Sequence, residues 1–295
     1  MRVVVTGREG QVARSLAELG PELGHEVIAL ARPQLELSDA PMKIARVIAQ
    51  ARPDIIISAA AYTAVDRAES EPDLAFNVNA RGAGAVADAA RALGVPLLHL
   101  STDYVFDGSK PTAYVEEDGT GPTGVYGRSK LAGEQLVLAA HDDVTILRTA
   151  WVYSPFGANF AKTMLRLASH AEEVRVVADQ HGNPTSAFDI AQALLTIASN
   201  LLRSKNGKLR GLFHLAGTGD ASWADFAEQV FASSAAVGGP IARVQRIGTD
   251  DYPTPAKRPS NSRLACERLG DAHGIFMPDW HQSTLQVVQR LVEQH

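Results

Sequence analysis

The sequence predicts a doubly wound α/β fold, a parallel sheet covered on both faces by helices, with a smaller α/β lobe beside it. Three observations carry that prediction. Runs such as residues 3–5 (Val-Val-Val) and 55–57 (Ile-Ile-Ile) are apolar without polar alternation, the pattern of strands buried on both sides. Helix-period segments separate these runs through the first half, as parallel crossovers require. The first run passes directly into Gly7-Arg8-Glu9-Gly10, a glycine-bearing turn ahead of the first helical segment.

Each element follows from its own residues. The β-branched run at 2–6 is the first strand, 11–19 an amphipathic helix and 26–30 a second strand. Residues 42–51 repeat with helical period, and 54–58 is a strand opened by Pro53, which has no place inside a ladder. The alanine-rich stretch 74–93 is one long helix, 97–101 a buried strand, 125–139 a helix and 144–148 a strand. Beyond residue 150 the loops lengthen and gather Gly and Pro, at 179–185, 237–240 and 252–259. Helices recur near 186–202, 223–233 and 283–293. Long loops in a compact chain shape sites more often than they link domains. The expected division is a first domain over 1–150 and a second lobe over 151–295, with some segments returning to the first sheet.

Composition narrows the class. The chain has 295 residues, 45% of them hydrophobic and 21% charged, ordinary globular proportions. A net charge of −5 argues against nucleic acid or an anionic membrane as partner, while leaving room for a small anionic ligand in a local basic pocket. The single cysteine, Cys266, excludes an intramolecular disulfide and any multi-cysteine zinc site. No apolar stretch approaches the roughly 18 residues that span a bilayer, and no secretory leader pattern follows Met1. The expectation is a cytoplasmic enzyme.

The first turn is suited to phosphate. Gly7 permits a tight bend, and Gly10 lets backbone approach a pyrophosphate at a helix N-terminus, where free amides and the dipole favour anions. The pattern is G-x-x-G-x-x-A rather than G-x-G-x-x-G, with Ala13 allowing close helix–strand packing. Its place at the first strand–helix junction points to a dinucleotide. Where an NAD site puts Asp or Glu at the tip of the second strand, this chain has Ala31-Arg32-Pro33. Arg32 has the fork for a 2′-phosphate, which predicts NADPH with NADH still usable; the alternative is a solvated Arg32, with Glu36 and its neighbour Leu37 on the ribose side.

A second constellation is Tyr126 and Lys130, four residues apart and so one turn along the same helix face. A phenol of pKa about 10 is a poor acid or base at neutral pH. A neighbouring ammonium stabilises phenolate and lowers that pKa, which suits proton transfer to a carbonyl under reduction. Thr102, at the end of the 97–101 strand, lies on the sheet edge where sites form, and its hydroxyl could polarise the same carbonyl.

The glycine-rich first turn, a Ser/Thr closing a later strand and Y-x-x-x-K on the next helix resemble the extended short-chain dehydrogenase/reductase family. Finer segments strengthen the likeness: Ala59-Ala-Ala-Tyr-Thr-Ala-Val-Asp-Arg-Ala-Glu-Ser70, Ser101-Thr-Asp-Tyr-Val-Phe-Asp107 and Val125-Tyr-Gly-Arg-Ser-Lys-Leu-Ala-Gly-Glu134. Arg148-Thr-Ala-Trp-Val-Tyr153, Asn159-Phe-Ala-Lys162, Asp179-Gln180 with Gly182 and Pro184-Thr185, and Arg258-Pro-Ser-Asn-Ser-Arg-Leu264 follow in order. The resemblance implies a Rossmann-like dinucleotide-binding domain and NAD(P)H-dependent reduction of the C4 ketone of a dTDP-linked 6-deoxy-L-hexose. It implies Tyr126 as proton donor, Lys130 as its activator and ribose ligand, and Thr102 and Asp103 on the sugar. Gly7, Gly10, Gln11 and Val12 would meet the cofactor phosphates, and Ala61, Tyr62 and Thr63 the nicotinamide side. Trp151 would flank the substrate, and Lys257 or Arg258 its diphosphate. The last pair also reads so physically, as cations in a proline-stiffened loop. Related enzymes leave two rivals. One is another nucleotide-sugar enzyme, a 4-ketoreductase for a related keto sugar, an epimerase or a dehydratase, although dehydratases carry an acid where this chain has Tyr104. The other is a non-catalytic cofactor-binding subunit, which is free to lose Tyr126 or Lys130. Some relatives bridge a homodimer with Mg²⁺ through scattered glutamates; no such cluster is legible here, so homodimer and Mg²⁺ rest on the resemblance alone.

Other polar residues have plain readings. His99 is a core histidine, Glu116-Glu117-Asp118 a solvated loop run and Cys266 inert core. None of the nine histidines stands in zinc spacing.

Overall fold

A computed structural model describes residues 1–294. Five strands, β1 (Arg2–Thr6), β2 (Glu26–Leu30), β3 (Ile55–Ser58), β4 (Leu97–Thr102) and β5 (Val144–Thr149), join a sixth at Gly211–His214. The order is β2-β1-β3-β4-β5 and then Gly211–His214, with every pairing parallel. Apolar runs without alternation belong in such a sheet because both faces are covered. Strand order reverses between β1 and β3, so a crevice opens at their carboxyl ends, beyond Thr6 and Ser58. Thr6 Oγ1 accepts from the Ala59 and Ala60 amides at 3.1 and 3.0 Å, fixing the chain as it leaves β3.

Helices α1 (Gln11–Glu22), α2 (Pro41–Gln50), α3 (Val65–Ala68), α4 (Pro72–Phe76), α5 (Ala83–Leu93) and α6 (Val125–Ala140) follow in the first half. On one face of the sheet Val3, Val5, Ile57 and Leu147 pack with Leu16 of α1 and with helix Ala187–Arg203. On the other, Ile56, Leu97 and Ile146 meet Ile44 and Ile48 of α2 and Val86 of α5. Helix Ala187–Arg203 and strand Gly211–His214 thus come back from the second half to the first sheet. A separate core holds Tyr153, Phe226, Val230 and Trp280, built by helices Phe160–Ala168, Trp223–Ala235 and Trp280–Glu293 with the strand pair Glu173–Val177 and Arg243–Ile247.

The long helix expected over 74–93 is interrupted. α4 runs into a π turn, Asn77–Gly82, before α5 resumes α geometry. The side-chain period is helical on both sides of the turn, so periodicity does not reveal it, and such turns often mark functional sites. This one carries Asn79, 1% exposed, whose side chain accepts from the Tyr62 amide at 2.8 Å and donates to the Tyr62 carbonyl and Ser129 Oγ at 3.0 and 2.9 Å.

Candidate active site

At the crevice, Gly7 turns the chain at φ +92 and its amide donates to the Leu30 carbonyl at 2.7 Å. Gly10 is the N-cap of α1, which has no side-chain cap and no acidic residue in its first turn. The space around the Gly10 α-carbon is open. The first amides of α1 are therefore available to an anion, and the residues present fit a dinucleotide pyrophosphate. Val12 is packed beneath. The Gln11 side chain is engaged elsewhere: it donates to the Val152 carbonyl at 3.1 Å and accepts from Ser154 and Asn159 at 2.8 and 3.0 Å. It ties the helix to the second lobe, leaving only its main-chain amide for phosphate.

Arg32 lies beyond the tip of β2, its side chain 82% exposed and 3.5 Å from the Glu36 carboxylate. Leu37 is buried in the core below and offers no polar side-chain atom. Ala61, Tyr62 and Thr63 leave β3 over the crevice, with Tyr62 held by Asn79. The Tyr62 phenol turns away and donates to Glu71 at 2.6 Å.

Tyr126, on the first turn of α6, stands beside the Thr102 hydroxyl at the end of β4. Gly127 makes this possible, since a Cβ there would lie 2.1 Å from the Tyr104 carbonyl. Burial pushes the Tyr126 phenol up to about 12, against the neighbouring Thr102 hydroxyl and with the Asp103 charge adding to the rise. The expected lowering by Lys130 is not what this arrangement gives. Lys130 is buried, donates to the Leu100 carbonyl at 2.7 Å, and is itself drawn down to about 8 by burial, with Glu134 holding it up. Thr102 Oγ1 donates to Asp103 at 2.8 Å and accepts from the Tyr104 amide at 3.2 Å. That proton is directed at Asp103, and the hydroxyl also lies within hydrogen-bond reach of the Tyr126 phenol. Asp103 is 2% exposed, and burial pushes its carboxyl up to about 6. Tyr104 packs edge-on against Tyr126 with ring centroids 5.6 Å apart.

On the second lobe, Trp151 is held at φ +46, a left-handed conformation costing a non-glycine residue about 1–3 kcal/mol. Its ring lies parallel to Trp223, with centroids 3.5 Å apart. Lys257 is exposed, whereas Arg258 is half-buried and forked onto Asp66. The structure gathers Tyr126, Lys130, Thr102 and Asp103 around the end of β4, and leaves Arg32 at the far edge.

Sequence reasoning missed several supports. Glu69 Oε1 accepts from the Val125 amide at 2.7 Å, capping α6 from another segment. Glu134 accepts from Arg148 Nε and Nη2 at 2.9 and 2.7 Å and from Ser101 at 2.5 Å, all deep in the core. An arginine inside the apolar β5 run was the available signal, because a buried guanidinium requires a carboxylate. Glu116, expected in solvent, is 8% exposed and accepts from the His214 amide at 2.8 Å, because strand Gly211–His214 folds over it. His99 is core as expected, its Nδ1 3.1 Å from Ser58 Oγ, and burial lifts the Cys266 thiol to about 12. Among the described residues no group of three or more His, Cys, Asp or Glu could hold a metal ion, so the structure lends no support to Mg²⁺. Nor is any helix there long and apolar enough to cross a membrane.

The comparisons with known proteins agree over the whole chain. The family model described as the RmlD substrate binding domain matches residues 1–293. A dTDP-4-dehydrorhamnose reductase of Sinorhizobium fredii is 53% identical over 293 residues, 99% of this chain and 98% of its own. The crystal structure of a dTDP-4-dehydrorhamnose reductase from Clostridium acetobutylicum superposes with a TM-score of 0.91 at 34% identity, covering 99% of each chain. That of the Bacillus anthracis dTDP-4-dehydrorhamnose reductase, in complex with NADP, gives 0.89 at 36% identity, covering 97% of this chain and 98% of its own. With its crevice, its Tyr126–Thr102 contact and this likeness from end to end, the chain belongs to the RmlD family of extended short-chain dehydrogenases/reductases.

Proposed function

We propose that this chain reduces the C4 ketone of dTDP-4-dehydro-L-rhamnose to dTDP-L-rhamnose with NADPH. The observation that carries the reading is the Tyr126 phenol beside Thr102 at the carboxyl end of β4, in a full-length relative of enzymes bearing that name. The α1 N-terminus holds the cofactor pyrophosphate, and residues 61–63 with Lys130 line its nicotinamide half. Bound there, the reduced nicotinamide supplies the hydride. Tyr126 supplies the proton. Burial keeps its phenol protonated at neutral pH, and an alkoxide is a stronger base than a phenolate, so transfer to the new C4 oxygen runs downhill. Lys130 remains largely cationic near pH 7 and stands one turn along the helix when the phenolate forms. Residues 1–150 act as the cofactor domain and 151–295 mainly as the substrate lobe, with Trp151 walling the sugar and Arg258 meeting the diphosphate.

Dehydration is disfavoured by Tyr104, whose phenol burial pushes above its ordinary value, so it neither ionises nor serves as a ready acid. A cofactor-binding subunit without turnover has no need of the buried Tyr126–Thr102–Lys130 arrangement. The deciding measurement is NADPH oxidation at 340 nm (the absorbance of the reduced nicotinamide) with and without dTDP-4-dehydro-L-rhamnose. Oxidation that ignores the sugar nucleotide would sink the proposal.

Cofactor choice follows from Arg32. The exposed pair with Glu36 is weak, so a 2′-phosphate can take the guanidinium from it. Arg32→Ala should lower kcat/KM with NADPH by about 10–150-fold and leave NADH nearly unchanged. Equal losses with both cofactors would show that Arg32 does not read the phosphate.

A further inference from the structure

Arg258 sits in the proline-rich loop 252–259 of the second lobe and reaches across to Asp66 in α3. Its Nη1 donates to Asp66 Oδ1 at 3.2 Å and its Nη2 to Oδ2 at 2.8 Å. Nη1 also donates to the Ala256 carbonyl at 3.2 Å, and the Ala256 amide donates back to Asp66 Oδ1 at 3.1 Å. A guanidinium carries five N–H donors in a rigid fork. Asp66 takes the end-on pair and Ala256 a third. The two that remain, Nε–H and the outer N–H of Nη2, lie along a single edge, and a side-on edge of this kind pairs with two oxygens of a phosphate. The guanidinium is close enough for its charge to act on Tyr104, whose ring rests against Tyr126.

We infer that Asp66 is a positioning residue for the sugar-nucleotide end of the site, clamping Arg258 so that its bidentate edge stays open to the diphosphate. The inference rests on the reading that Arg258 meets that diphosphate. A part-exposed ion pair of this kind adds little to stability. Its effect is to restrict a long side chain before the ligand arrives, so that binding loses less conformational freedom. The Asp66 carboxylate is spent on Arg258 and the Ala256 amide, so its effect belongs in KM and not in kcat.

The test is steady-state kinetics of Arg258→Ala, Asp66→Ala, Asp66→Asn and the Asp66→Ala/Arg258→Ala double variant in the full chain, with NADPH affinity measured separately by fluorescence. Arg258→Ala is expected to raise KM for the dTDP-sugar by about 10–150-fold. Asp66→Ala should raise it by about 3–10-fold, with kcat and NADPH affinity unchanged. Asp66→Asn should fall between wild type and Asp66→Ala, because its amide oxygen still accepts from Ala256 and its fold is the least disturbed. In the double variant Asp66→Ala should add less than about twofold, since there is no longer a guanidinium to orient. An Asp66 effect that persists in full without Arg258, or a KM that falls in Asp66→Ala because a competing carboxylate has gone, overturns the inference while leaving the diphosphate reading intact. An unchanged KM in Arg258→Ala overturns the diphosphate reading itself, and the inference with it.

Discussion

Tyr126→Phe should lower kcat by about 10²–10⁴-fold while leaving NADPH affinity close to wild type. The substitution removes one oxygen from a ring that packs against Tyr104, so the edge-on contact and the α6 turn beneath it persist. What disappears is the proton that the nascent C4 alkoxide would receive. Thr102 is a poor substitute, because its one hydroxyl proton goes to Asp103. Stopped-flow turnover alongside a cofactor titration separates the two effects. Near-normal turnover would remove Tyr126 from the mechanism, and lost cofactor affinity would make its role structural.

Glu134→Ala carries the second large effect, and it reaches both stability and pH dependence. The carboxylate lies in the core with Arg148 on both oxygens and Ser101 on one. Removing one partner of a buried pair leaves an uncompensated charge, a loss of about 3–5 kcal/mol and on the order of 10 °C in Tm. Glu134 is also the charge that holds the Lys130 pKa up against burial. Without it that pKa drops below about 8, and Lys130 loses its proton at a lower pH. The alkaline limb of the kcat profile should therefore move to lower pH in whatever fraction remains folded. A melting temperature within a degree or two of wild type would refute the stability claim; an unmoved alkaline limb would refute the coupling to Lys130.

The residues that could be read from the sequence are those whose chemistry is local. Val3-Val4-Val5 and Ile55-Ile56-Ile57 announce strands because a short β-branched run without alternation is a pattern of neighbouring residues, and both lie fully buried in the sheet. The turn at Gly7 and Gly10 and the helical spacing of Tyr126 and Lys130 are local in the same sense. The break at Asn77–Gly82 was not legible, because both flanks keep a helical period and the alanine-rich stretch after it leaves no sharp apolar stripe in which a one-residue phase shift would show.

What remained belonged to tertiary structure. Nothing within a few residues of Asp66 predicts that it will receive Arg258, or of Glu69 that it will cap the helix bearing Tyr126. Both bonds join segments more than fifty positions apart, and only the packed sheet brings those segments together. The sign of the Tyr126 shift was likewise beyond the sequence. From spacing alone the Lys130 charge should lower it; in the folded chain the ammonium turns to the Leu100 carbonyl, and desolvation raises the phenol instead. The residue types of a reductase site were thus determined by the sequence itself. Their protonation, and the carboxylates that pair with them, were decided by the closed fold, because the cost of desolvation exists only once the chain has closed around them.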